Sequence, residues 1–463
     1  MLCKQCGAQI RREDKRQDGR YQCPKCKKLY RVKGAAGSGA QTARTAPARR
    51  PAPKRFRLQP LHIGAIAAAL ILVILIPVLA FGGRSDPKAA TPDPTATADV
   101  AAMVEQTPEP TATPVPIQAA SVHFRATGDI MSHKLQLTHA YQKDGSFNYD
   151  PQFEYVKDAL SKADYTICNL ELSIAVDKDY SSFPFFRTPE AILATLKDCG
   201  VDMFTMANNH ILDGFWDGLT HTIDKVEEYG FDHVGAYRSA EEYQQPVLKD
   251  INGIKFGFLA YTLDVNDNDL RLPADQAKIC VKRLDQADFK ADVQELRDLG
   301  AEVVICLPHW GDEGKRSVTT LCKRYAQEMV DAGVDIILGS HPHVVLPIDL
   351  GQMEVNGEQK DILIVWSMGN FISYMASQYM DSGIIADFTV TRDENGKISI
   401  HDAGYVPVYV WGNKNTFHLL CSGDFYNDKP DGMSNDDFKR MKQSVKEIAN
   451  MIGQDSGITM LEN

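Results

Sequence analysis

Short apolar runs alternate with amphipathic stretches of about 10–15 residues through the central part of the chain. The apolar runs predict buried strands, and the stretches with apolar residues three or four apart predict helices. The predicted strands are 122–126, 164–168, 201–207, 231–235, 255–261, 302–307, 334–338 and 361–366. The predicted helices are 151–162, 189–199, 217–229, 286–299 and 317–332. This alternation indicates an α/β fold with a largely parallel, layered β-sheet core flanked by helices.

The pattern changes towards the C-terminus. Residues 383–410 alternate between apolar and polar positions around Glu394-Asn395-Gly396, which predicts a β-hairpin. Residues 412–433 have a weak pattern and are predicted to form a loop. A helical stripe then begins near Ser434 and stops at Gly453, and it predicts a helix that packs on the domain. We therefore divide this part into a main domain, 122–411, and a C-terminal extension with one helix, 412–463.

The N-terminal part contains one long apolar run. Residues Leu58 to Gly83 carry no formal charge, and Leu61 to Phe81 are almost all aliphatic. A helix of about 21 residues crosses a hydrocarbon core of about 30 Å, so we predict a transmembrane helix at 58–82. A signal peptide would instead start at the N-terminus with a shorter apolar region. A complete cysteine motif precedes this run, which favours an uncleaved anchor.

Charge is distributed unevenly around the predicted span. Residues 1–57 contain 17 Lys and Arg but three Asp and Glu, which leaves the remainder with a net charge of −25. The positive-inside rule predicts a single-pass cell-membrane protein with a cytoplasmic N-terminus and an extracellular large domain. The acidic remainder argues against nucleic-acid binding by the large domain. The basic N-terminal part could contact nucleic acid or anionic lipid headgroups. We favour a small structural or protein-binding module there over one that binds nucleic acid.

Four cysteines near the N-terminus have the spacing C-x2-C-x16-C-x2-C. They are Cys3, Cys6, Cys23 and Cys26. This spacing predicts a zinc ribbon at 1–33 with one structural zinc. A redox pair is the weaker interpretation because no βαβ pattern surrounds either C-x-x-C. A basic flexible linker, 34–57, joins the ribbon to the span, and a Thr/Pro-rich stalk, 83–121, separates the span from the main domain.

Polar residues follow several predicted strands directly. Asn208-Asn209-His210, His309 and the pair His341/His343 each stand where a strand is predicted to end. Ligands of open α/β sheets bind outside the carboxyl ends of the strands. These side chains therefore predict a single polar site, which we interpret as a metal site.

The order of these motifs resembles the calcineurin-like metallophosphoesterases and, within them, the CapA family of poly-γ-glutamate capsule proteins. The resemblance covers roughly Val122 to Val410. Its motifs are Gly128-Asp129, Asn169-Leu170-Glu171, Phe186-Arg187-Thr188-Pro189-Glu190, Ala207-Asn208-Asn209-His210 with Asp213 and Gly214, His309-Trp310-Gly311, Gly339-Ser340-His341-Pro342-His343 and Ser367-Met368-Gly369-Asn370-Phe371. Each motif alone is weak, but seven in the same order are specific.

The resemblance implies a metallophosphoesterase-like fold with two divalent ions. The first ion would be held by Asp129, Glu171 and His343, with His133 as a fourth ligand. Glu171 would bridge to a second ion held by Asn209, His309 and His341. His210 would not be a ligand but catalytic, and it would donate a proton to the leaving group or steady the substrate. Oxygen and imidazole ligands suit Mn, Fe or Zn.

Two further residues have two interpretations each. Arg187 could pair with a substrate carboxylate or phosphate, or could be an arginine at the edge of the core. We assign Arg187 and Asn208 to substrate binding. Asp213 could belong to the site, but we expect it to cap the following helix.

The resemblance implies a part in synthesis, export or anchoring of an anionic capsule polymer of the poly-γ-glutamate type. Capsule ligase or export membrane proteins would then be its partners. One alternative is a cell-surface metal-dependent phosphatase or phosphodiesterase acting on a phosphoester. The other is a polymer-binding protein without enzymatic activity.

Overall fold

A computed structural model describes residues 21–22, 29–30, 117–355, 357–375, 377–453 and 456–463. The chain forms two compact units, Met1–Thr107 and Pro108–Asn463. In the first unit, β1 (Tyr21–Gln22) pairs antiparallel with β2 (Leu29–Tyr30). The four ribbon cysteines, the predicted linker, the predicted span 58–82 and residues 83–116 of the predicted stalk lie outside the described residues. Within the described part, no helix combines the length and apolarity needed to cross a membrane.

The second unit contains strands and helices in alternation. Its strands are β3 (Ala120–Ile130), β4 (Tyr165–Leu170), β5 (Ser173–Ile174), β6 (Arg187–Thr188), β7 (Met203–Thr205), β8 (Asp232–Val234), β9 (Val247–Ile251), β10 (Ile254–Thr262), β11 (Val303–His309), β12 (Ile336–Leu338), β13 (Ile348–Val355), β14 (Glu358–Val365), β15 (Asn370–Ile372), β16 (Ser382–Arg392), β17 (Ile398–Asn413), β18 (Thr416–Cys421) and β19 (Thr459–Met460). Its helices are α1 (Lys134–Ala140), α2 (Asp150–Phe153), α3 (Lys157–Ser161), α4 (Ala191–Asp198), α5 (Phe215–Glu228), α6 (Ala240–Gln244), α7 (Ala274–Ile279), α8 (Phe289–Asp298), α9 (Thr320–Ala332) and α10 (Asn435–Ile452). Short 3-10 turns lie at Val176–Lys178, Asn268–Arg271 and Leu284–Gln286.

The strands form two large sheets. The nine-stranded sheet has the order β18-β17-β16-β3-β4-β7-β8, with β15 beside β3 and β19 beside β17. The six-stranded sheet has the order β13-β14-β12-β11-β10-β9. Strands β3, β4, β7 and β8 are parallel neighbours in one sheet, and β10, β11, β12 and β14 are parallel neighbours in the other. The predicted parallel strands are confirmed, but they are divided between two sheets.

The core lies between the two sheets. Phe124 of β3 contacts Phe256 of β10 across this interface, with ring centroids 4.9 Å apart. Strand β11 shows how the sequence builds both faces, because successive side chains point to opposite sides of a sheet. Val303 and Ile305 belong to the central cluster, whereas Val304 and Cys306 pack in a second cluster with residues of α8 and α9.

Two local predictions were wrong. The predicted helix 151–162 is divided into α2 and α3, because Tyr155 between them forms a β-bridge with Leu420. The predicted loop 412–433 contains β18, which pairs antiparallel with β17. Tertiary pairing at the β18 edge of the sheet therefore overrides the local pattern in both segments.

Two other predictions are confirmed. Strands β16 and β17 form the predicted hairpin around Gly396, which adopts φ 82°. Helix α10 begins after Ser434, whose hydroxyl oxygen accepts a hydrogen bond from the backbone N–H of Asp437 at 3.0 Å. It ends at Gly453, as the sequence predicts.

A close backbone contact fixes the end of β3. The backbone N–H of Asp129 donates to the carbonyl oxygen of Gly369 at 3.0 Å, and β3 changes register against β4 between Thr127 and Asp129. A Cβ atom at Gly128 would overlap the Gly369 carbonyl. Only glycine therefore lets the two segments approach closely enough to position Asp129.

We predict that Gly128→Ala lowers the free energy of unfolding by about 1–3 kcal/mol, because the added methyl group has no space. Gly351→Ala is the matched control, since a Cβ at Gly351 meets no atom within 4 Å. The control should change stability by less than about 0.5 kcal/mol. Urea unfolding of the metal-free chain measures both, and equal midpoints for the two variants would contradict the prediction.

Candidate metal centre

Side chains at the carboxyl ends of strands from both sheets converge on one buried cluster. Asp129 lies near the end of β3, Glu171 directly follows β4, Asn209 and His210 follow β7, His309 ends β11, and His341 and His343 follow β12. The parallel strands β3, β4 and β7 bring the first residues together. Strands β11 and β12 bring the histidines to the same place, and His309 forms a β-bridge with Ser340.

One half of the cluster contains Asp129, Glu171 and His343. Their potential ligand atoms all lie within 4.8 Å of one another. His343 Nδ1 is 2.9 Å from Asp129 Oδ2 and 3.0 Å from Asn370 Oδ1, whereas its Nε2 is 3.8 Å from Glu171 Oε1. These three residues are the set that the resemblance implies for a first ion.

The other half contains Glu171, His309 and His341, whose potential ligand atoms also lie within 4.8 Å of one another. His309 Nε2 is 3.6 Å from Glu171 Oε1, 3.1 Å from His341 Nδ1 and 2.9 Å from Asn209 Oδ1. Glu171 therefore belongs to both halves, in the position that the resemblance implies for a bridging ligand.

The carboxylate of Glu171 fits a bound cation. Its side chain is fully buried, and neither oxygen has a hydrogen-bond partner among the described residues. Burial raises the pKa of Glu171 well above its usual range, and the nearby charge of Asp129 raises it further. A buried carboxylate without a partner is costly. Its oxygens and the neighbouring imidazoles are the donor types that Mn, Fe and Zn accept.

His309, His341 and Asp129 are suited to the same role. Burial lowers the pKa of His309 well below its usual value, and it lowers the pKa of His341 as well. Both rings are therefore neutral near pH 7, as metal ligands must be. Burial opposes ionisation of Asp129, but its hydrogen bond with His343 prevails and lowers the pKa of Asp129 while raising that of His343.

The turn that carries His341 and His343 has an unusual backbone. His341 adopts φ 98° and His343 φ 57°, a backbone region that residues other than glycine rarely occupy. Gly339 precedes the turn, and a Cβ there would overlap the Trp366 carbonyl and the Trp310 indole. Strain of this kind costs about 1–3 kcal/mol per residue and persists where the surrounding structure enforces it.

His210 forms a pair with Asp213 beside the cluster. His210 Nδ1 is 2.7 Å from Asp213 Oδ2, which also accepts a hydrogen bond from the backbone N–H of Phe186 at 2.6 Å. The predicted helix-capping role of Asp213 is wrong, because Gly214 is the N-cap residue of α5 and Asp213 points towards His210. The Phe186 ring lies edge-on to the His210 ring, with centroids 4.7 Å apart.

His133 lies outside both halves of the cluster. Its Nδ1 accepts a hydrogen bond from the backbone N–H of Tyr374 at 3.1 Å, and its ring contacts Phe186. Burial lowers the pKa of His133 to about 4. The ring is therefore neutral near pH 7, but its ligand atoms are not among the clusters that meet within 4.8 Å.

The two residues assigned to substrate binding hold neighbouring segments of the protein. The guanidinium of Arg187 forms an ion pair with Asp179 and donates to Ser181 Oγ at 2.9 Å. The amide of Asn208 donates to the Leu170 carbonyl oxygen at 2.8 Å, directly before Glu171. Its side-chain oxygen accepts from the backbone N–H of His210 at 3.2 Å.

Three residues of the cluster were missed as site residues in the sequence. Asn169 Nδ2 donates to Asp129 Oδ1 at 2.7 Å and lies 3.3 Å from His309 Nδ1. Asn370 contacts His343, and the carboxylate of Glu313 lies within 4.8 Å of ligand atoms of His341 and His343. Asn169 and Asn370 stand inside motifs of the resemblance, which was the available signal. Glu313 follows His309 by four residues in a loop, where no periodicity marks it.

The family model of the bacterial capsule synthesis protein PGA_cap matches residues 123–375, which is more than half of the chain and includes every residue of the cluster. The chain belongs to this family. The PGA_cap region therefore begins within β3 and ends three residues after β15.

Curated relatives agree with this assignment. This PGA_cap chain is 27% identical over 298 residues to the PGA biosynthesis protein CapA of Bacillus subtilis, which covers 61% of the chain and 72% of the relative. It is 26% identical over 259 residues to the capsule biosynthesis protein CapA of Bacillus anthracis, which covers 53% of the chain and 58% of the relative. Among solved structures, the calcineurin-like phosphoesterase YfkN from Bacillus subtilis overlaps with 72% of the chain and 98% of that structure at 15% identity and a TM-score of 0.40.

We predict that Glu171→Gln removes the response of the protein to divalent cations. Saturating Mn²⁺ should stabilise the wild type by about 2.7 kcal/mol at one hundred times its Kd, and the variant by much less. Without metal, the raised pKa of Glu171 means that the folded chain keeps a proton on this carboxyl at pH values where the unfolded chain has lost it. The metal-free wild type should then lose stability as pH rises above the ordinary carboxyl range, and the variant should lose less.

Thermal unfolding between pH 5 and pH 9, with EDTA and with Mn²⁺, measures both effects. Glu394→Gln in the β16–β17 turn is the control, because it removes an exposed carboxylate far along the sequence from the cluster. Equal Mn²⁺ stabilisation of wild type and Glu171→Gln would contradict the prediction.

Proposed function

We propose that this PGA_cap protein is a membrane-anchored accessory protein that takes part in synthesis, export or anchoring of an anionic capsule polymer of the poly-γ-glutamate type. Its large domain would bind polymer or substrate anions at a centre with two divalent metal ions. The observation that carries this proposal is the buried, unpartnered carboxylate of Glu171 between two sets of imidazole and carboxylate ligands. The names of the Bacillus relatives support the capsule context.

The chain's own residues divide into two ligand sets. Asp129, Glu171 and His343 would hold one ion, and Glu171, Asn209, His309 and His341 would hold the other. Two such ions would lower the pKa of a bound water and neutralise substrate oxygens. Asn169 and Asn370 would orient this ligand set through their hydrogen bonds to Asp129 and His343.

A second candidate function is hydrolysis of a phosphoester, and the His210–Asp213 pair favours it. Asp213 accepts from the Nδ1 side of the ring and so directs Nε2 away from itself. An imidazole fixed in this way can donate a proton to a leaving group. The backbone N–H of Phe186 holds the same Asp213 oxygen, which fixes the direction of the pair.

We predict that the Mn²⁺-loaded chain hydrolyses diphenyl phosphate, whose phenolate leaving group, with a pKa of about 10 for the phenol, benefits from a proton donor. His210→Gln should lower kcat by about 10²–10⁴-fold, because it removes the proton donor. Binding of Mn²⁺, measured by calorimetry, should stay unchanged, since His210 is not in either ligand set. The control is His401→Gln, which alters a ring paired with Asp402 at the surface.

The outcomes separate the candidate functions. Metal binding without hydrolysis of this diester, of p-nitrophenyl phosphate or of poly-γ-glutamate would contradict the enzymatic candidate and leave polymer binding. A wild-type chain that binds no Mn²⁺, Fe²⁺ or Zn²⁺ in the large domain would contradict the metal centre itself. His341→Ala and Asn209→Ala should both weaken metal binding, in contrast to His210→Gln.

The proposed location follows from the apolar run 58–82 and from its basic N-terminal flank. The ribbon cysteines, with one structural zinc, would lie in the cytoplasm and the large domain outside. Here we predict that proteinase K added to intact cells removes an epitope tag placed after Asn463 and spares one placed before Met1. The reverse pattern, or protection of both tags while a known surface protein is cut, would contradict this orientation.

A further inference from the structure

Glu313 lies beside the metal centre without belonging to either predicted ligand set. Its carboxylate and ligand atoms of His341 and His343 all lie within 4.8 Å of one another. Unlike the other carboxylates of the centre, Glu313 is exposed, whereas Asp129 and Glu171 are fully buried. Glu313 therefore stands on the solvent side of the cluster.

The loop that carries Glu313 is tied to the histidine turn. The backbone N–H of Gly314 donates to the Pro342 carbonyl oxygen at 2.8 Å, between the two histidines. The backbone N–H of Trp310 donates to the Ser340 carbonyl oxygen at 3.0 Å, and its indole N–H donates to the Trp366 carbonyl oxygen at 3.1 Å. These bonds on both sides of Glu313 fix its backbone against the turn.

The side chain of Glu313 has no ion pair or hydrogen bond among the described residues, in contrast to its neighbour. Asp312 pairs with Lys315 at 3.1 Å, so its charge is already neutralised within the loop. The Glu313 carboxylate instead faces the cluster, within 4.8 Å of ligand atoms of His341 and His343. An unpaired carboxylate beside two imidazoles is a set of donor groups that suits a divalent transition-metal ion.

We propose that Glu313 is an exchangeable third carboxylate of the metal centre, whose place an incoming substrate carboxylate or phosphate takes. This inference rests on the proposed two-metal function and assigns one of its residues. An exposed side chain can leave a metal ion at little cost, because water replaces its contacts. The buried carboxylates of Asp129 and Glu171 lack that freedom, so exchange at the centre falls to Glu313.

Two consequences follow from an exchangeable carboxylate. Removing its charge weakens the hold on the metal, as loss of a supporting or coordinating group does, by about 10–100-fold in affinity. Removing the carboxylate also opens a coordination position. In addition, it eliminates a negative charge that opposes an incoming anion. Metal binding and anion binding should therefore change in opposite directions, which no merely structural role would produce.

The test compares wild type, Glu313→Gln and Asp312→Asn as full-length chains. Calorimetry measures Mn²⁺ alone, and then inorganic phosphate added to the Mn²⁺-saturated protein. We expect Glu313→Gln to bind Mn²⁺ at least about tenfold more weakly and phosphate about tenfold more tightly. Asp312→Asn, which removes the same charge one residue earlier, should match the wild type in both.

Unfolding in EDTA verifies that all three chains fold alike. Equal Mn²⁺ and phosphate affinities in Glu313→Gln and Asp312→Asn would overturn the inference and leave the metal centre standing. Weaker Mn²⁺ binding without tighter phosphate binding would overturn exchange and make Glu313 a permanent ligand. A wild type that binds no Mn²⁺ would overturn both this inference and the function on which it rests.

Discussion

The buried carboxylate of Glu171 is the constraint on which the site depends. Moving a carboxylate into the protein interior costs several kcal/mol unless a charge of opposite sign accompanies it. Among the described residues, His309 and His343 are the nearest basic groups to its oxygens, at 3.6 and 3.8 Å. Neither distance is a hydrogen bond. A cation between these groups would balance the carboxylate and satisfy the imidazoles at the same time.

The two sheets create this arrangement by ending their parallel strands at one place. Strands β3 and β4 supply the carboxylates, and β11 and β12 supply the imidazoles. The left-handed backbone of His341 and His343 costs stability locally. Such costs persist only where the packed core between the sheets over-determines them, which is why the cluster sits over the central hydrophobic layer rather than on a free loop.

The sequence was informative where a residue's role follows from its strand. Asp129, His309 and His343 could be predicted because parallel strands end at a common edge. The division of the strands between two sheets could not be predicted, because periodicity indicates a strand but not the strand with which it pairs. Asp213 was misread for a related reason: a carboxylate before a helix resembles a cap, and only the fold brings His210 and Phe186 to it. Glu313 reaches the cluster from a loop, and a loop has no hydrophobic periodicity from which its position could be predicted.

The charge of the protein bears on the proposed polymer. The chain beyond residue 57 carries a net charge of −25, so at long range it repels an anionic polymer. Arg187, the cation that the sequence offered for such a ligand, is paired with Asp179. Under the proposed function, positive charge at the site must then come from bound metal ions. Their attraction for an anion acts over a Debye length of about 8 Å at physiological salt. Binding of an anionic chain would depend on metal, and the exposed carboxylate of Glu313 would compete with each carboxylate of that chain for the same ion.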